Sequence, residues 1–144
     1  MDSYSLTDRS VPLVTTRNDW KIMPMPREQG LLYANLNYNY AEVEKLREGF
    51  YPNLDEDRWF VYFQGQNMHF HSRNGGYCIF ILEFMDDRED GYSAYYAKVN
   101  RNRDQYKFIS DRLDICLLSS VIDYLLGRKD YVKDCPMGLE SGPV

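Results

Sequence analysis

Residues 57–85 read DRWFVYFQGQNMHFHSRNGGYCIFILEFM, and their reading decides the fold. Three runs rich in β-branched and aromatic residues are separated by Gly/Asn clusters, the pattern of consecutive antiparallel strands. The strands are expected at Arg58–Phe63, Asn67–Arg73 and Tyr77–Met85. Gly65 supplies a left-handed position in the first turn. Asn74-Gly75 in the second is the dipeptide that a tight hairpin favours, because both central residues need positive φ.

With two-residue loops, Phe63 lies opposite Met68 and Phe70 opposite Ile79. Alternation then sorts the side chains into two faces. Trp59, Val61, Phe63, Met68, Phe70, Ser72, Tyr77, Ile79 and Ile81 form a core face. Arg58, Phe60, Tyr62, His69, His71, Arg73, Cys78, Phe80, Leu82 and Phe84 form the other. A face that mixes aromatics with His and Arg suits a ligand cavity or a subunit interface. The plain alternative is a half-covered sheet whose polar ends reach water.

Downstream, Tyr92–Val99 reads as a fourth strand. Ser110 or Asp111 to Leu126 reads as a helix so apolar that burial nearly all round is expected, with Gly127 as its stop. Upstream, Asn39 and Glu42 form a capping box for a short helix over Ala41–Glu48. Residues 19–38, with Pro24 and Pro26, suggest an extended segment packed across the sheet. The fold expected is α+β: an antiparallel β-meander of about four strands, a buried C-terminal helix on one face and a short N-terminal helix. The domain organisation expected is a mobile arm over 1–18, a single domain over 19–132 and a loose tail over 133–144.

The 144 residues suffice for one real core. A net charge of −5 argues against duplex nucleic acid as partner. No apolar run is long enough for a membrane span, and Met1–Thr16 lacks the apolar region of a signal peptide. Cys78 and Cys116 sit in apolar runs and read as reduced core thiols. A cytoplasmic protein is therefore expected.

Meander topology places Arg58, Arg73, Asn100, Arg101 and Arg103 at one end of the sheet, near the start of the main helix. Guanidinium forks and a helix N-terminus favour phosphate or carboxylate. Phe60, Tyr62, His69, His71 and Tyr77 nearby could hold a ring. Those ten residues are the candidate site for a small phosphorylated ligand. The sober alternative is pairing of Arg58 and Arg73 with Asp55, Asp57 or Asp104.

The chain has no GxSxG, P-loop, CxxC or HExxH, and no cofactor is expected. His69-x-His71 with Cys78 offers three metal donors, but no closed-site spacing accompanies them, and no metal is nominated. The first reading is a non-catalytic binding domain for a nucleotide-like anion. The second is a dimerisation or protein-interaction module using the aromatic face. The third is a small hydrolase with His69 or His71 as base.

Trp59, the stretch His69-Phe70-His71-Ser72-Arg73-Asn74-Gly75-Gly76-Tyr77-Cys78-Ile79 and Val99-Asn100-Arg101 together resemble a family of small, largely uncharacterised bacterial proteins. There a tryptophan strand leads to a "yFhRSWTGyciy" hairpin, a "vNR" strand end and a leucine-rich helix. The resemblance covers about residues 57–127. It departs at Asn74-Gly75, where the family pattern has tryptophan in the turn. It implies a ligand related to ADP-ribose or NAD.

Overall fold

The computed structural model describes residues 11–108 and 110–128. Its elements in chain order are β1 (Gln29–Asn39), α1 (Tyr40–Leu46), β2 (Trp59–Gln64), β3 (Asn67–Ser72), β4 (Cys78–Glu83), β5 (Met85–Asp86), β6 (Gly91–Asn100) and α2 (Asp111–Leu125). They form one antiparallel six-stranded sheet in the order β1-β6-β4-β3-β2, with β5 paired to β6. The fold is α+β. Six strands replace the expected four, because Gln29–Asn39 is a strand and β5 is a short addition. The small helix follows β1 instead of opening the fold. It runs Tyr40–Leu46, one residue earlier at its start and two at its end than expected, on the capping box of Asn39 and Glu42.

The first hairpin has the expected register, with Phe63 opposite Met68 around Gly65. The second does not. Its loop is Arg73–Gly76, closed by the Ser72 N–H donating to Tyr77 O at 2.9 Å. Four residues keep the parity of two, so Cys78 falls opposite His71. The strand then takes up one extra residue, Ile79, and Phe70 pairs with Phe80 instead of Ile79. Beyond this bulge the faces exchange. Phe80, Leu82 and Phe84 turn into the core, and Ile81 turns to the other face.

The core lies between the first sheet face and α2. Phe70, Phe80 and Trp59 pack as a ring cluster, with Trp59 stacked on Phe80 at 6.2 Å between centroids. Helix α2 buries Asp114, Leu117, Leu118, Val121 and Ile122, a stripe at helical spacing. Burial all round does not hold: Asp111, Arg112 and Tyr124 are exposed. The helix ends as expected at Gly127 (φ 73°), with Gly127 N–H on Tyr124 O and Arg128 N–H on Asp123 O. Cys116 is half-buried and disulfide-bonded, which corrects its reading as a reduced core thiol; Cys78 is free and buried.

The domain begins before Asp19. Thr15 is buried, its N–H donates to Glu48 O at 3.0 Å and its hydroxyl contacts Val61 O. Residues 1–10 of the expected arm and the tail from 133 lie outside the described residues. No described helix is long and apolar enough to cross a membrane.

Candidate functional site

The site is on the sheet face away from α2. Tyr62 on β2 lies directly opposite His69 on β3, and Phe60 opposite His71. Cross-strand neighbours of this kind touch. The Tyr62 and His69 rings stack at 4.7 Å, and Tyr62 and His71 at 5.7 Å. Trp20 lies over Phe60 at 6.0 Å and meets Tyr51 edge-on at 5.4 Å. Trp20 Nε1 donates to Arg73 O at 3.1 Å.

The segment 17–25 therefore straps this face, as Pro24 and Pro26 suggested. Its closest approach is at Gly76, which has φ 66° and carries no side chain. A Cβ there would come within 2.0 Å of Lys21 O. Gly76 O accepts from Met23 N–H at 2.9 Å on one side and faces His71 Nδ1 at 2.9 Å on the other.

Between strap and sheet is a cavity of about 440 Å³, within the usual range of small-ligand sites. Arg17, Ile22, Met23, Pro24 and Met25 line it from the strap. Tyr62, Gln64, His69, His71, Cys78 and Ile81 line it from the sheet. No carboxylate is among them.

Electrostatics follow from burial. His69 is lowered to about 4, first by desolvation, then by repulsion from His71, Arg17 and Lys98. Desolvation also lowers His71, against the pull of its bond to Gly76 O. Both imidazoles are neutral near pH 7. Burial pushes the Cys78 thiol up to about 12, with Lys98 opposing, and raises the Tyr62 hydroxyl.

Of the ten residues nominated from sequence, Tyr62, His69 and His71 line the cavity, and Phe60 is fully buried under Trp20. The arginines do not join them. Arg58 and Arg73 line a separate pocket of about 190 Å³ with Asp55, Asp57 and Asn74. Arg73 Nη1 donates to Leu54 O at 2.5 Å and Asp57 O at 3.0 Å, so backbone carbonyls satisfy it. Arg101 is held by Asp114 at 2.5 Å and Asp111 at 3.1 Å, the acids of the first turn of α2. Asn100 is fully buried and donates to Cys78 O and Gln105 Oε1, both at 2.8 Å. Tyr77 packs against the core, and Arg103 is exposed. Neither lines the His cavity.

Four lining residues were not nominated from sequence: Arg17, which fell in the expected arm, Met23 and Met25, which fell in the expected extended segment, and Ile81, which the bulge moved. No protein-family model, curated protein or solved structure matches the chain.

Proposed function

We propose that this chain is a non-catalytic binding domain for a small anionic ligand with a planar ring, held between the strap and the His face of the sheet. The cavity of about 440 Å³ carries the reading: it is walled by rings and thioethers, has Arg17 at one side and includes no acid. Lys98 lies close enough to act on both His69 and Cys78, which adds to the positive field. A ring would stack beside Tyr62 and His69, and the anion would meet Arg17. One guanidinium suits a single charged group, where the four arginines nominated from sequence would have suited a more highly charged one. The likeness of residues 57–127 to the bacterial family favours a nucleotide-like ring.

Hydrolysis is less well supported. A general base works best with a pKa near the working pH and a partner to orient it. His69 is far below that range, and no carboxylate of the described residues lines the cavity.

A thermal-shift series with AMP, ADP-ribose and NAD tests the proposal. A ligand at about a hundred times its Kd should stabilise the fold by about 2.7 kcal/mol. The gain should fall sharply in Arg17→Ala and Tyr62→Ala and survive Arg103→Ala. No shift with any of the three compounds would refute it.

A second reading has its own observation. Among the described residues β1 is an open sheet edge, with Leu31, Tyr33 and neighbouring Tyr96 exposed at 69%, 56% and 48%. The other edge is not open, because Phe50 bridges Val61 on β2. An open apolar edge favours strand-to-strand self-association. Tyr33→Lys should abolish any dimer seen by light scattering; a monomeric wild type would remove this reading.

A further inference from the structure

The floor of the cavity gathers two imidazoles and a thiol. One donor atom each from His69, His71 and Cys78 lies within 4.8 Å of the other two. The placement comes from the backbone: residues two apart on β3 share a face, and the Ile79 bulge leaves Cys78 opposite His71. His71 is 2% exposed. Its Nδ1 lies 2.9 Å from Gly76 O, and a carbonyl only accepts, so Nδ1 carries the hydrogen. Nε2 then presents its lone pair. It is buried and has no hydrogen-bond partner among the described residues. An imidazole oriented by a carbonyl on its far nitrogen is how proteins present histidine to a metal.

We propose that His69, His71 and Cys78 bind one borderline-soft divalent cation of the zinc class, with a fourth coordination position open to the cavity. Two nitrogens and a thiolate suit zinc, whereas magnesium and calcium favour carboxylate oxygens, of which the described lining residues supply none. Bonds of about 2.0–2.3 Å around a tetrahedral centre set donors roughly 3.5 Å apart. The donors lie within 4.8 Å of one another, so the triad must close by no more than about 1.3 Å on binding. On binding, the thiol gives up its proton to solvent and the imidazoles coordinate as neutral bases, so one proton leaves per ion. Zinc with one thiolate keeps a single positive charge. Three protein ligands and an open position are the arrangement of a centre that accepts an outside ligand, here an anion entering from the cavity. The inference shares the cavity with the proposed function, and only the use of the fourth position rests on that reading.

Cobalt(II) titration of the chelator-treated full chain tests it. One equivalent should saturate a thiolate-to-cobalt charge-transfer band, one equivalent of zinc should displace it, and magnesium should leave it unchanged. Cys78→Ser should remove the band. His69→Ala should weaken cobalt binding at least about tenfold. The absence of a saturable spectrum in wild type, or an unchanged band in Cys78→Ser, would overturn the inference. Should Cys78→Ser fail to fold by circular dichroism, His69→Ala decides, and an unchanged affinity there overturns it. Cobalt binding without any response to nucleotides would keep this site and remove the proposed function; a nucleotide response without cobalt binding would do the reverse.

Discussion

Replacing Asp114 tests how the main helix is anchored. Asp114 is fully buried in the first turn of α2. Oδ1 accepts from the Tyr106 hydroxyl at 2.6 Å, and Oδ2 from Arg101 Nη2 at 2.5 Å. Tyr106 is itself fully buried, so Asp114→Ala strands its hydroxyl, at about 1–3 kcal/mol. Arg101 keeps Asp111 and Phe108 O, and its side chain is 22% exposed, so water relieves part of its loss. That charge-assisted bond contributes about 1–2 kcal/mol after the relief. An acid at the helix N-terminus adds about 0.3–1 kcal/mol. The sum is about 2–6 kcal/mol, which brackets the roughly 3–5 kcal/mol for removing one partner of a buried pair. That is a large share of the roughly 5–15 kcal/mol that holds a domain folded.

Urea denaturation followed by circular dichroism measures this, provided the slope with denaturant is unchanged. Asp114→Asn keeps the volume and one acceptor and should cost about half as much. Tyr106→Phe removes the stranded donor, so the double variant Tyr106→Phe/Asp114→Ala should lose less than the two single losses combined, by more than about 0.5 kcal/mol. A loss below about 1 kcal/mol for Asp114→Ala would refute the reasoning. Strictly additive losses would show that Tyr106 and Asp114 do not act as a pair.

Three further outcomes are expected. Leu117→Ala, at a 3% exposed position facing the sheet, should lose about 2–5 kcal/mol in the same urea assay. Gly76→Ala should cost more than Gly65→Ala: both have positive φ, but only at Gly76 would a Cβ strike the strap, and displacement of Trp20 should red-shift tryptophan fluorescence. In metal-free protein, His69 binds its proton less readily folded than unfolded, so the unfolded chain holds more protons between pH 6.5 and about 4. Stability should therefore be fully present above pH 6.5 and fall as the pH drops through that window. His69→Gln should flatten the fall; an unchanged pH profile would contradict the burial of the ring.

The meander and main helix were legible because their signals are local. Trp59–Gln64 and Asn67–Ser72 alternate around a two-residue loop, and the stripe of α2 is bounded by Ser110 and Gly127. β1 had a signal that was passed over. Leu32, Ala34, Leu36 and Tyr38 alternate with Tyr33, Asn35 and Asn37, and the even positions are the more buried. The expected extended segment over 19–38 included these residues but was placed across the sheet instead of in it. The arginine cluster failed for a different reason. Sequence position put Arg101 near the start of α2, correctly, but the acids of that first turn hold it there. Charge alone does not distinguish an anion site from an internal ion pair, since both need the same residue types.

The bulge at Ile79 was not legible, and it has the largest consequence. Strict alternation puts Cys78 and Phe80 on one face. One extra residue separates them: Cys78 stays beside His71 under the strap, and Phe80 enters the core against Trp59. The same hairpin end carries Gly76, whose carbonyl meets both the strap at Met23 and the imidazole of His71. Core packing, the seating of the strap and the orientation of His71 thus depend on eight residues, 73–80. The gain in packing a phenylalanine into the core holds the irregular backbone in place. The hairpin loop pairs Cys78 with His71, and the irregular backbone beyond it keeps Phe80 and Leu82 off that face, where a regular hairpin would have crowded the thiol and the imidazole.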